Sequence, residues 1–124
     1  MNKVFVFLLM VFCHIVDDYY LQGWLASAKQ QEWWKKNAPQ SLYRNDYKCA
    51  LMMHGLSWAF MIMLPIAAMQ SFQVSPEFAA FFYLNAYLHC FIDNLKANKR
   101  CINLWQDQFC HIIQIILTFM YFTR

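Results

Sequence analysis

The chain has 124 residues, 60% of them hydrophobic and 19% aromatic, with only two glycines. A water-soluble core of this size cannot hide so much apolar surface, which excludes an ordinary soluble domain. The net charge of +3 is modest, and eight of the ten basic residues sit in short connections between apolar runs, so a nucleic-acid partner is not expected.

Four apolar stretches follow in chain order, roughly Val4–Trp24, Cys49–Met69, Phe78–Ile92 and Phe109–Phe122. About 20 residues cross a bilayer, so we read a single all-α integral-membrane domain over residues 1–124. It is a bundle of four transmembrane helices, roughly 3–30, 47–70, 76–97 and 103–123. Lys3 before the first run imitates a signal sequence, with a small-residue site at Ala26–Ala28. Cleavage there would discard a motif described below, which favours retention.

The first helix is expected to run through LQGWLASAKQQEWW, with Trp24, Trp33 and Trp34 at the interface, and to stop at Asn37-Ala-Pro. Asp46 is a candidate cap for the second helix, and Pro65 should bend its far end. Ser75-Pro76-Glu77 reads as a helix start, with serine as cap and proline in the first position. Asn103 is a candidate cap for the last helix. The connection between the first two helices holds Lys29, Lys35, Lys36, Arg44 and Lys48, and the last connection holds Lys96, Lys99 and Arg100. The other side has only Lys3 and Arg124. That imbalance places both basic loops in the cytoplasm and both termini outside. It also makes membrane lipid the expected partner, through anionic headgroups. Oligomeric state cannot be read from the sequence.

Five cysteines, with no CxxC, give neither a disulfide framework nor a thiolate metal motif. Cys49 and Cys101 lie on the expected cytoplasmic side, where disulfides are rare. The polar residues say more. His14 precedes Asp18 by four positions, His89 precedes Asp93 by four, and Asp107 precedes His111 by four. On the last helix Asp107, His111, Gln114 and Thr118 fall within roughly 60°, and on the third Asn85, His89, Asp93 and Lys96 within roughly 80°. His14, Asp18 and Gln22 make a third stripe with Asp17 beside it, and the second helix adds His54 near Ser57. Lipid offers these groups no partner, so the stripes must face one another. Counting from the basic loops puts His54, His89 and His111 at one depth, joined by His14 if the first helix projects beyond the membrane, with Asp18, Asp93 and Asp107 about 6 Å nearer the cytoplasm.

A single histidine–aspartate pair is most often a satisfied polar contact. Three on converging faces are different, because clustered carboxylates in a low dielectric repel one another or take up protons unless a cation compensates. Helical bundles build metal sites from such donors. The expected cofactor is therefore a divalent metal, one or two ions, with zinc suited to imidazole and carboxylate and manganese or iron as alternatives. His14, Asp18, His54, His89, Asp93, Asp107 and His111 are the candidate ligands or their immediate supports.

The ordered motifs His14-x3-Asp18-x3-Gln22, His54, His89-x3-Asp93-x2-Lys96 and Asp107-Gln108-x2-His111 resemble a family of small bacterial and phage integral-membrane proteins classed as a domain of unknown function. That family is similar to predicted metal-dependent hydrolases of the inner membrane. The resemblance spans nearly the whole chain; Tyr19-Tyr20 departs from its pattern. It implies these residues as the site and the bacterial inner membrane as the location.

The expected function is hydrolysis of an ester or phosphoester, lipid or lipid-linked, at the cytoplasmic leaflet by a water activated on the metal. Asp17 is the candidate general base. Lys96, Lys99 and Arg100 are candidates for a substrate phosphate, though lysines and arginines there also simply fix topology. Gln22 and Gln108 are candidates for bonding ligands or substrate, or for packing between helices. The competing class is non-catalytic: metal or haem binding, ion or proton conduction, or partner binding. Few polar groups lie on the outer half beyond Asn85, Gln114 and Thr118, which argues against a through-going path.

Overall fold

A computed structural model describes residues 1–124, and the chain is all-α with no strand. Helix α1 (Lys3–Ile15) starts at Asn2, whose side chain accepts from the Val4 and Phe5 amides. It passes without a break into a π-helical turn, Val16–Leu21. Helix α2 (Leu25–Ala28) and helix α3 (Gln31–Asn37) form the long connection. Helices α4 (Asp46–Met69), α5 (Pro76–Ala97) and α6 (Leu104–Thr123) complete the bundle.

The expected continuous first helix over 3–30 is corrected by this arrangement. The helix ends at Leu21 and the chain turns at Gly23, whose φ of 53° is a conformation that favours glycine. The turn sends α2 back over the bundle end. The other three helices match their expected limits to within a residue. Ser75 caps α5 by accepting from the Phe78 amide at 3.1 Å. Asn103 and Gln106 form a reciprocal capping box on α6, at 3.0 and 2.9 Å. Asp46 is not the cap of α4. Asn45 holds that position without a side-chain bond, and Asp46 is the first helical residue.

Helices α4 and α5 come into close backbone contact at Gly55. A Cβ there would lie 2.7 Å from the Ala86 carbonyl oxygen and closer still to the Cys90 sulfur. This contact sets how near His54 and His89 approach, each within one turn of it. An apolar cluster fills one half of the bundle: Val6 and Met10 from α1, Trp58, Ile62, Met63, Ile66 and Ala67 from α4, Phe78 from α5 and Ile115 from α6.

The other half is polar inside and apolar outside. Twelve polar or charged residues are buried beside fifteen hydrophobic ones, including all four histidines and Asp17, Asp18, Asp93 and Asp107. Meanwhile Phe5, Leu8, Phe12, Phe60, Tyr87 and Leu117 are each more than half exposed. Ionised residues are almost never buried in soluble proteins unless paired, so this distribution runs against the usual one. Two helical stretches, Lys3–Leu21 and Ser41–Met69, are long and apolar enough to cross a membrane. Helices α5 and α6 have 22 and 20 residues and carry Asp93, Lys96 and Asp107, so a count of four spans does not follow from length and apolarity.

Candidate metal centre

The π-helical turn explains how one helix delivers two adjacent aspartates. Its wider winding, a feature common at functional sites, leaves Asp17 1% and Asp18 5% exposed, both inside the bundle. Asp18 points at α4 and α5. Its Oδ1 lies 3.2 Å from His54 Nε2 and 3.9 Å from His89 Nε2. The two imidazole nitrogens are 3.1 Å apart. Asp93 Oδ2 completes the group at 3.4 Å from His54 Nε2 and 3.8 Å from His89 Nε2.

Four donor atoms from three helices therefore converge, with all their ligand atoms within 4.8 Å of one another. Zinc bound at about 2.0–2.1 Å in a tetrahedron needs donors about 3.3 Å apart. The five separations just given bracket that value, so these buried groups can hold a metal ion. Asp18, Asp107 and His111 form a second, adjoining group. His111 Nε2 stands 3.4 Å from both Asp93 Oδ1 and Asp107 Oδ1, and none of those three atoms has a hydrogen-bond partner. Buried polar atoms without partners are uncommon, and here they cluster in one place.

Around the donors lies a layer of orienting contacts. Asp17 Oδ2 sits 3.8 Å from His54 Nδ1, on the ring edge away from the donor group, while its Oδ1 accepts from Ser57 at 2.6 Å. Neither Asp17 Oδ2 nor His54 Nδ1 has a hydrogen-bond partner, so Asp17 supplies negative charge behind the ring rather than a bond to it. His89 Nδ1 faces His111 Nδ1 at 3.2 Å. Gln108 donates to Asp18 Oδ2 and Asp107 Oδ2, both at 3.0 Å. Gln114 lies 3.2 Å from His111 Nδ1, and beyond it Asn85 donates to Thr118 at 2.9 Å.

His14 belongs to this outer layer. The Trp58 indole, a donor only, gives its N–H to His14 Nδ1 at 2.8 Å, so the imidazole proton is on Nε2, which faces the Gln108 carbonyl at 3.0 Å. Both ring nitrogens are thus engaged away from the four-donor group. Gln22 donates to the Asp18 backbone carbonyl at 2.6 Å, holding the π-helical turn.

Lys96 reaches Asp107 Oδ2 at 2.6 Å. Lys99 and Arg100 are exposed and make no ion pair, so the fold does not bring them to the site. Two participants carried no signal in the histidine–aspartate spacing. Trp58, fully buried, stacks on His89 with centroids 4.3 Å apart and rings 17° from parallel. It sits one turn beyond His54, a position the helical period could have flagged. Lys29, only 6% exposed, places Nζ 2.6 Å from Asp93 Oδ2. It reaches there only because Gly23 turns the chain back. Asn98 then clamps the segment, donating to the Lys29 carbonyl at 3.0 Å and accepting from the Gln31 amide at 2.6 Å.

Four aspartates face two lysines in this interior, so two negative charges are left over when the imidazoles are neutral. One divalent cation balances them, where a bare pair of buried carboxylates would not be tolerated. Far from the site, Lys35 bonds Glu32 at 2.7 Å and holds that exposed carboxyl below the usual glutamate range. The five cysteines are free thiols and none joins the donor group. Comparison of the chain with protein-family models, with curated proteins and with solved structures finds no match in any of the three.

Proposed function

We propose that the protein is a membrane-embedded, metal-dependent hydrolase acting on an ester or phosphoester presented at the cytoplasmic leaflet. The observation that carries the reading is the convergence of Asp18 Oδ1, His54 Nε2, His89 Nε2 and Asp93 Oδ2 at the spacing a zinc ion requires. The motif resemblance to inner-membrane hydrolase-like proteins points the same way. Zinc is the preferred ion; iron and manganese ordinarily ask for more ligands than this set of two nitrogens and two oxygens.

When bound, such an ion supplies Lewis acidity and lowers the pKa of water. The chain supplies the rest. Ser57 holds Asp17, whose carboxylate stands 3.8 Å behind the His54 ring, and Trp58 stacks on His89. Asp93 Oδ2 is shared with Lys29, and while it stays with the lysine only three chain donors remain, the number a catalytic zinc site uses. His111 Nε2 and the facing oxygens of Asp93 and Asp107 can take and return a proton beside that position. This geometry makes His111 with Asp107 a better proton acceptor than Asp17, which stands behind His54. Lys96 serves as a counter-charge to Asp107, within reach of an anionic substrate only if it leaves that carboxylate.

The membrane setting rests on the apolar exterior, the two apolar spans and the side-specific basic loops. A bundle that buries its charges and exposes its phenylalanines is arranged for lipid, and we read α5 and α6 as spans too, their charged faces turned inward. A second reading, a closed metal-binding site without turnover, is favoured if all four donors ligate at once, since a filled tetrahedron leaves no position for substrate.

One experiment separates the two. The full chain is placed in vesicles, loaded with zinc, and assayed against ester and phosphoester lipid analogues. Metal-dependent turnover that disappears in His89→Ala and survives in Lys99→Gln is the expected result. Stoichiometric metal with no turnover on either substrate class supports the closed site and overturns the hydrolase.

A further inference from the structure

Away from the metal centre, the outer seam between α4 and α5 holds a groove of about 550 Å³. Leu51 and Ala86 line it, Tyr83 closes one end, and Tyr47, Lys48 and Asn94 stand at the other. It exists because small residues meet at the helix crossing: Gly55 and Ala86 let the backbones touch, and the larger side chains on either side splay outward. Nine of its eleven lining residues are hydrophobic and none is acidic.

Two features identify an occupant. Tyr83 and Asn94 are 11 residues apart on α5, about 17 Å along the axis. Half of a bilayer's hydrocarbon core is about 15 Å. The groove therefore has the length of one leaflet and opens to the side, as an acyl chain requires. Its polar end is also cationic. Lys48 is exposed and makes no ion pair, with Nζ 5.9 Å from the Tyr47 ring centroid. Asn94 spends its carbonyl oxygen on Asn98, at 2.9 Å, and keeps its own N–H donors free. An ammonium without an ion pair and free amide N–H donors, at the mouth of a leaflet-length apolar channel, match a phosphate headgroup joined to a chain.

We propose that the α4–α5 groove is a binding site for one intact anionic phospholipid, its phosphate on Lys48 and Asn94 and an acyl chain along Leu51 and Ala86 towards Tyr83. The site is separate from the metal centre and rests on the membrane reading above, though not on hydrolysis. It gives the chain a preferred lipid neighbour against the helix that carries His89 and Asp93.

Native mass spectrometry tests this on the full chain released from bilayers of equal phosphatidylglycerol and phosphatidylethanolamine. The wild type is expected to retain one phosphatidylglycerol, at about fivefold preference over the zwitterionic lipid. Lys48→Gln should bring that preference close to one. Leu56→Trp, which fills the groove, should abolish retention while circular dichroism stays unchanged; Lys99→Gln should alter nothing. Retention indifferent to both groove substitutions, or a dimer mass in place of the lipid adduct, overturns the proposal. Failure of the chain to float with the vesicles overturns the membrane reading itself, and zinc content measured on the same samples reports separately on the metal centre.

Discussion

At the residue scale, adjacent side chains divide between holding a ligand atom and holding the residue that holds it. Asp17 and Asp18 are neighbours in sequence, yet one faces the donor group and the other braces His54 from behind. Asp18→Asn should therefore remove metal binding, while Asp17→Asn should weaken it by about 10- to 100-fold without abolishing it, read by competition against a chelator. Equal loss in both variants would contradict this division. Trp58→Phe keeps the ring that stacks on His89 but withdraws the N–H from His14 Nδ1. Leaving that buried acceptor without its partner should cost about 1–3 kcal/mol, measured by reversible unfolding in mixed micelles. The histidine–aspartate spacing pointed to three of the four histidines, and His54 was added as the polar residue of the second helix. The spacing could not tell that His14 spends both its nitrogens on Trp58 and Gln108, because that depends on which residues other helices put opposite it.

At the element scale, irregular backbone does the positioning. A regular helix repeats every 3.6 residues, so consecutive aspartates would diverge by about 100°. The π-helical turn at Val16–Leu21 keeps both inside. The turn at Gly23 then brings Lys29 to Asp93. Gly23→Ala forces a side chain into that left-handed conformation, at about 1–2 kcal/mol, and should loosen the Lys29 contact. Faster proteolysis within residues 22–30 would show it; an unchanged cleavage rate would argue that the turn is not under that constraint. Gly55→Val places a β-branched side chain against the Ala86 carbonyl, and α4 and α5 must separate. A loss of about 1–3 kcal/mol is expected, together with weaker metal binding through His54.

The limits of α4, α5 and α6 were legible because apolar run length and capping residues are local properties. Ser75-Pro76 and Asn103 act as the spacing predicts. The broken first helix was not legible from the same rules. Apolar and aromatic residues continue through Tyr19-Tyr20-Leu21, and a lone glycine is a weak stop signal until its dihedral is known.

At the scale of the whole molecule, charge inside and aromatic surface outside support the proposed membrane setting. The composition raises the same expectation, and two helices are long and apolar enough to cross a membrane. The proposed orientation rests on the basic loops and is testable through the free thiols. Cys49 and Cys101 are exposed near the proposed cytoplasmic ends of α4 and α6. A membrane-impermeant maleimide should label them in inverted vesicles and not in intact cells; the opposite pattern would reverse the topology.

The three aspartates that alternate with histidines every four residues were visible as inward stripes before any coordinates. Their arrangement into a four-atom donor set, an unpartnered cluster around His111 and two lysine-held oxygens was not. That arrangement depends on the pitch of four helices against one another and on a lysine delivered by a distant turn.

The account stands on the claim that this interior holds a divalent cation. X-ray absorption on the zinc-loaded, detergent-purified chain measures it most directly. We expect at least one ion per chain, with nitrogen and oxygen neighbours at about 2.0–2.1 Å and no sulfur, and loss of the bound ion in His89→Ala and Asp18→Asn. A wild-type chain that retains no more zinc than those variants, or a spectrum dominated by sulfur, would contradict it.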